Sequence, residues 1–95
     1  MTKIDRYIET INEELDGAKM YAEFFIEYQK KNPNWSRMFS EMATQELTHA
    51  EYIKTMAEEF AEGLPWMPEE AKDKWEHCMR HYGEKVAVVK LMLSK

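Results

Sequence analysis

Cysteine occurs once in the 95 residues, at Cys78. The chain cannot close a disulfide on itself, and it has no Cys-x-x-Cys pair for a thiolate-held metal. Glycine and proline are scarce, three of each, which reads as a mostly helical chain. No run approaches the roughly 18 uninterrupted apolar residues of a membrane span. No charged-then-apolar leader opens the sequence, so a cytoplasmic address, or a compartment inside the cytoplasm, is expected. Basic residues are outnumbered, 13 Lys and Arg against 18 Asp and Glu, for a net charge of −5. That sign argues against nucleic acid and anionic membrane as partners and suits a protein that attracts cations.

The apolar residues that are present recur at helical spacing, so the expected fold is all-α. Three helices are expected, at about residues 3–31, 35–62 and 68–93, in one domain spanning residues 1–95. The first opens at Thr2, an N-cap residue with Asp5 three positions on in place of the usual capping-box Glu. Its stripe runs Ile4, Ile8, Ile11, Leu15, Ala18, Ala22, Phe25. A second stripe beside it runs Tyr7, Ile11, Glu14, Ala18, Tyr21, Phe25, Tyr28. Lys30 and Lys31 suit the negative end of the helix dipole. Asn32-Pro33-Asn34 makes a short turn, so the second helix should run back antiparallel. Its stripe is Trp35, Phe39, Met42, Glu46, His49, Ile53, Met56, Phe60, and Gly63 is a natural stop. Pro68, Glu69 and Glu70 suit the first turn of a third helix. Gly83 weakens its middle by about 1 kcal/mol. A hairpin of two helices each about 40 Å long cannot shield broad apolar faces alone, so an oligomer is expected.

Carboxylates interrupt both apolar stripes. Glu14 sits between Ile11 and Ala18, and Glu46 between Met42 and Ile53. His49 lies three residues past Glu46, on the same helix face. Bundles that hold two irons use a Glu from each of two helices and a Glu-x-x-His from each of the other two. One inward Glu and one Glu-x-x-His is half of that set, and a two-fold dimer would supply the rest. Two copies would bring four carboxylates into one core, a prohibitive cost without counterions, and two divalent cations would balance them. Oxygen and imidazole ligands with open positions suit iron or manganese.

The run Glu13-Glu14-Leu15-Asp16-Gly17-Ala18-Lys19-Met20-Tyr21 resembles the first metal-binding helix of the ferritin and rubrerythrin superfamily, in which a ligand Glu precedes a Tyr by two turns. The short length, the single Glu46-x-x-His49 and the Trp75-Glu76-His77 region, with Arg80 and Tyr82 following, resemble the half-length encapsulated ferritins. The resemblance covers about the first 82 residues. It implies a dimer forming a ferritin-like four-helix bundle, assembled further into rings, with one di-iron site per dimer. Glu14, Glu46 and His49 would be the iron ligands, and Tyr21 a hydrogen-bonding group beside them. Glu13 and Asp16 could form an acidic access path for iron. Asp16 also competes with Glu14 as the first-helix ligand. Glu14 is preferred because Asp16 falls on a mostly polar stripe with Met20, Glu23 and Glu27. An encapsulin shell is a further implied partner, although the tail from Val89 to Lys95 does not read as a docking peptide.

The activity implied is ferroxidase: ferrous iron oxidised to ferric iron for storage or detoxification. A rubrerythrin-like peroxidase and a metal-free helical scaffold are the alternatives. Bland readings apply elsewhere. Tyr7 and Tyr28 suit a core or interface, the eight Met residues are core filler, and Cys78 is a buried thiol without a role. Glu58, Glu59 and Glu62 form a solvated face. His77 and His81, four apart, are a candidate metal pair on the third helix or surface decoration.

Overall fold

The computed structural model describes residues 2–95, and its regular structure is helical throughout. Helix α1 spans Lys3–Lys31, α2 spans Pro33–Glu62 and α3 spans Glu69–Leu93. The body is a rod of 52 × 19 × 17 Å. Among the described residues no helix is long and apolar enough to cross a membrane.

Local chemistry sets the ends. The Thr2 hydroxyl accepts from the Asp5 amide at 3.1 Å, and the Asp5 carboxylate accepts from the Thr2 amide at 3.1 Å. The shorter Asp therefore completes the reciprocal cap. A single residue, Asn32, links α1 to α2. Its amide donates to the Tyr28 carbonyl at 2.9 Å, and its side-chain oxygen accepts from the Trp35 amide at 3.2 Å. Helix α2 thus starts two residues before the expected Trp35, because Pro33 at the first helical position loses no needed donor. Pro68 stands just outside α3 as its N-cap.

The hairpin closes along a seam of small side chains. Ile11, Leu15, Ala18 and Ala22 of α1 are buried, as are Ala43, Ala50 and Ala57 of α2. Alanines at every seventh position let two long helices approach closely along their length. Near the turn, the buried Ser36 hydroxyl donates to the Phe25 carbonyl at 2.7 Å. Helix α3 packs chiefly against α1, adding Cys78 to one end of the seam and Val89 to the other.

The expected α2 stripe only borders this seam: Ile53 packs against it and Phe39 and Phe60 meet α1 aromatics, while Trp35, Met42 and Met56 are exposed. Each residue advances 100° around a helix, so the alanine row lies one step round from Met42, His49 and Met56. Trp35 is 51 % exposed, Met38 52 % and Met56 47 %. These large apolar residues occupy a flank of the hairpin that α3 leaves uncovered.

Candidate metal centre

Glu14 points from α1 toward α2, where Glu46 and His49 share one face. The antiparallel hairpin brings the three together: one ligand atom from each lies within 4.8 Å of the others. His49 Nδ1 is 3.6 Å from Glu14 Oε2 and 3.7 Å from Glu46 Oε1. Both distances are too long for hydrogen bonds. They leave a gap bounded by two carboxylates and an imidazole. The carboxylates are mostly covered, at 26 % side-chain exposure each, while His49 is 55 % exposed at the rim.

The electrostatics of the three side chains by themselves are unfavourable. The Glu46 carboxyl is held above the usual glutamate value. The first cause is a hydrogen bond shared with the Glu14 carboxyl, followed by burial and by the negative charge of Glu14, with His49 opposing. With both carboxyls ionised that hydrogen bond is absent, and Glu14 Oε2 is then buried without a hydrogen-bond partner. A buried carboxylate oxygen without a partner costs several kcal/mol in general. A cation in the gap would remove that cost, and the donor set of two carboxylates and one imidazole suits iron or manganese. The residues present therefore fit such an ion.

Gly17 completes the site's shape. A Cβ on residue 17 would lie 3.2 Å from Glu46 Oε2. The bare α1 backbone at this point lets the α2 carboxylate settle against it. Sequence reasoning missed this role. The available signal was a glycine placed mid-helix one turn after Glu14, where it carries a helix cost of about 1 kcal/mol.

The other expected residues are placed differently. The Tyr21 ring stacks on Phe39, with centroids 6.2 Å apart. Phe39 also meets Phe24 at 4.9 Å and Tyr28 at 5.9 Å, so Tyr21 belongs to an aromatic row beside the trio. Glu13 is exposed and lines a polar cleft with Arg6, Glu9 and Thr10. Asp16 is exposed and lines a groove between α1 and α3 with Lys19 and Lys85. Two residues after Glu14, it points about 200° away around α1. The structure therefore brings Glu14, and not Asp16, to Glu46 and His49. His77 and His81 stand on α3, outside the cluster. No other group of three such side chains comes together among the described residues.

Compared with the curated proteins and with the solved structures, the chain has no significant match in either set. The rubrerythrin family model matches residues 9–86, a span that contains all three residues of the trio. Domains of this family hold paired irons, which agrees with the carboxylate and imidazole chemistry of the site. A helical fold, a trio shaped for a cation and a match over most of its length make this chain a member of the rubrerythrin family, within the ferritin-like superfamily.

Proposed function

We propose that two copies of this chain pair through the uncovered flank of the hairpin, and that Glu14, Glu46 and His49 of both copies hold two irons and oxidise ferrous iron. The observation that carries this reading is the buried, unpartnered Glu14 Oε2 facing Glu46 and His49. One chain supplies a single Glu and a single Glu-x-x-His, and paired-iron bundles use two of each. Two divalent ions would balance the four carboxylates of a dimer. Large apolar residues (Phe24, Trp35, Met38, Met42 and Met56) are exposed in one chain, and such a surface favours burial against a partner.

Bound iron would supply one-electron redox chemistry at positions open to an oxidant. The chain's own residues do the rest. Glu14 and Glu46 neutralise the cations, and their charge favours the higher oxidation state. His49 would add its imidazole from the rim. The aromatic row of Tyr21, Phe39 and Tyr28 would exclude water once a partner covers it. Each ferrous ion loses one electron. Two such electrons and two protons reduce dioxygen to peroxide, or peroxide to water. Rings of such dimers inside an encapsulin-type shell, the assembly implied by the likeness to encapsulated ferritins, would leave the ferric product to a store outside the dimer.

The test is ferric absorbance after ferrous iron is added in air to the purified chain. Glu46→Ala and His49→Ala should each abolish the fast phase. Wild-type rates in both variants would overturn the proposal, as would a chain that binds no iron at micromolar concentration. The family match also favours a second reading, a peroxidase of the rubrerythrin type. With only Cys78 in the sequence, the electrons would come from a separate donor. A turnover ratio strongly favouring peroxide over dioxygen selects that reading.

A further inference from the structure

His77 and His81 lie one helical turn apart on α3, and neither has a role in the trio described above. Their ring centres are 4.4 Å apart, with the planes tilted by 53° rather than stacked. Two imidazoles bound to one ion, each at about 2.0–2.1 Å, have ring centres roughly 4.5–5 Å apart. The spacing of the two rings is therefore compatible with both imidazoles reaching one ion.

The second observation is the partner of His81. Its Nδ1 lies 3.0 Å from Glu84 Oε2. A carboxylate can only accept, so Nδ1 is the donor in this contact, and in the neutral ring Nε2 carries the lone pair. This is the carboxylate–histidine arrangement that fixes the ring and tautomer of metal-binding imidazoles and raises their basicity. Both histidines line a cleft of about 580 Å³ between α1 and α3, which leaves room for water to complete a coordination shell. Two lysines share the cleft, and each is held by a partner: Asn12, itself a lining residue, for Lys85, and Asp5 for Lys74. Lys85 Nζ donates to Asn12 Oδ1 at 3.2 Å, and Lys74 Nζ lies 3.6 Å from Asp5 Oδ1.

We propose that His77 and His81 form a second metal site, separate from the Glu14, Glu46 and His49 cluster, for a borderline divalent ion of the zinc class, with Glu84 as the positioning residue for His81. Two neutral imidazoles from one helix select zinc or copper over the hard cations magnesium and calcium. The ion would also clasp α3 immediately before Gly83, where the helix is intrinsically weakest.

Calorimetric titration of the metal-free full chain with zinc tests this, using His49→Ala as the background so that the other cluster lacks its imidazole. The expected result is one zinc per chain at micromolar affinity. That binding should disappear in His49→Ala/His77→Ala and in His49→Ala/His81→Ala. Glu84→Gln should weaken it on the order of tenfold. Circular dichroism confirms that each variant remains helical. Imidazole NMR of the wild-type chain gives a readout free of substitutions: zinc should shift the His77 and His81 resonances. Zinc binding that survives both double variants unchanged, or imidazole shifts confined to His49, would overturn the proposal while leaving the iron reading intact.

Discussion

Gly17 and Glu46 meet across the hairpin, with Glu46 Oε2 only 3.2 Å from where a Cβ on residue 17 would sit. That contact opposes two demands. Helix propensity favours alanine over glycine by about 0.8–1 kcal/mol, while the site needs the space. Gly17→Ala should therefore leave the metal-free chain as stable as wild type or more so. Its affinity for iron should fall on the order of tenfold, because Glu46 must move a few tenths of an ångström away from Glu14 and His49. Thermal unfolding in chelator and an iron titration read the two effects separately. Unchanged iron affinity would show that the close approach is incidental.

Glu14→Gln should produce the same separation by a different cause. The amide offers a donor to the Glu46 carboxylate and removes one of two charges sharing a site. Metal-free stability should rise by about 1 kcal/mol, or roughly 4–8 °C in Tm for a domain of this size. Iron should raise the Tm of the wild-type chain and leave the variant unmoved, since only binding to the folded state stabilises it. A drop in metal-free Tm would mean that Glu14 supports the fold and not the ion.

The raised Glu46 pKa fixes the sign of a pH effect. Through the window above the ordinary glutamate value of 4.5, the folded chain holds more protons than the unfolded chain. Stability from this group is thus fully present below that value and is lost as pH rises through the folded-state pKa. Asp5 acts in the opposite direction and lower down. Its carboxyl is held below the ordinary value by Thr2 first and then Lys74, so its contribution is lost on acidification. Subtracting the metal-free stability profile of Glu46→Gln from that of wild type should isolate the falling limb. Iron should reverse it, because ligands must be deprotonated to bind. A flat difference profile would contradict the shared carboxyl site.

How legible this was in the sequence depended on how local each cause is. The Thr2 and Asp5 cap, the Asn32-Pro33 turn and the Gly63 stop act within a few residues, and the ends of the hairpin fall close to them, with α2 beginning at Pro33 inside the expected turn. The seam depends on both helices at once. A stripe of large residues outweighs Ala43, Ala50 and Ala57 in any hydropathy reading, yet the alanines permit close approach while Trp35, Met42 and Met56 stay on the flank. Glu14 and Asp16 were separable by stripe alone only as a preference. The distances to His49 required α2 to be set against α1. Gly17 reads in sequence as a weak point in a helix, and its use becomes visible only once the Glu46 carboxylate lies beside it.

The dimer reading makes the uncovered flank itself a target. Met42 precedes Glu46 by one turn and remains 36 % exposed in the single chain. Pairing two copies there would place a Lys at residue 42 in a desolvated face, without a partner for its charge. Breaking an interface with an unpaired buried charge typically costs about 3–5 kcal/mol, enough to dissociate a dimer of micromolar affinity, which is held by roughly 8 kcal/mol at standard state. Met42→Lys should therefore remain helical yet elute as a monomer, with ferrous iron oxidation lost alongside. Thr44→Lys is the control: residue 44 is exposed and points about 200° away around α2, so assembly and oxidation should both persist. Light scattering with size exclusion, run beside the ferric absorbance assay, reads both quantities. A monomeric Met42→Lys chain that oxidised iron at the wild-type rate would show that one copy holds a complete site, and the shared-site reading would fall.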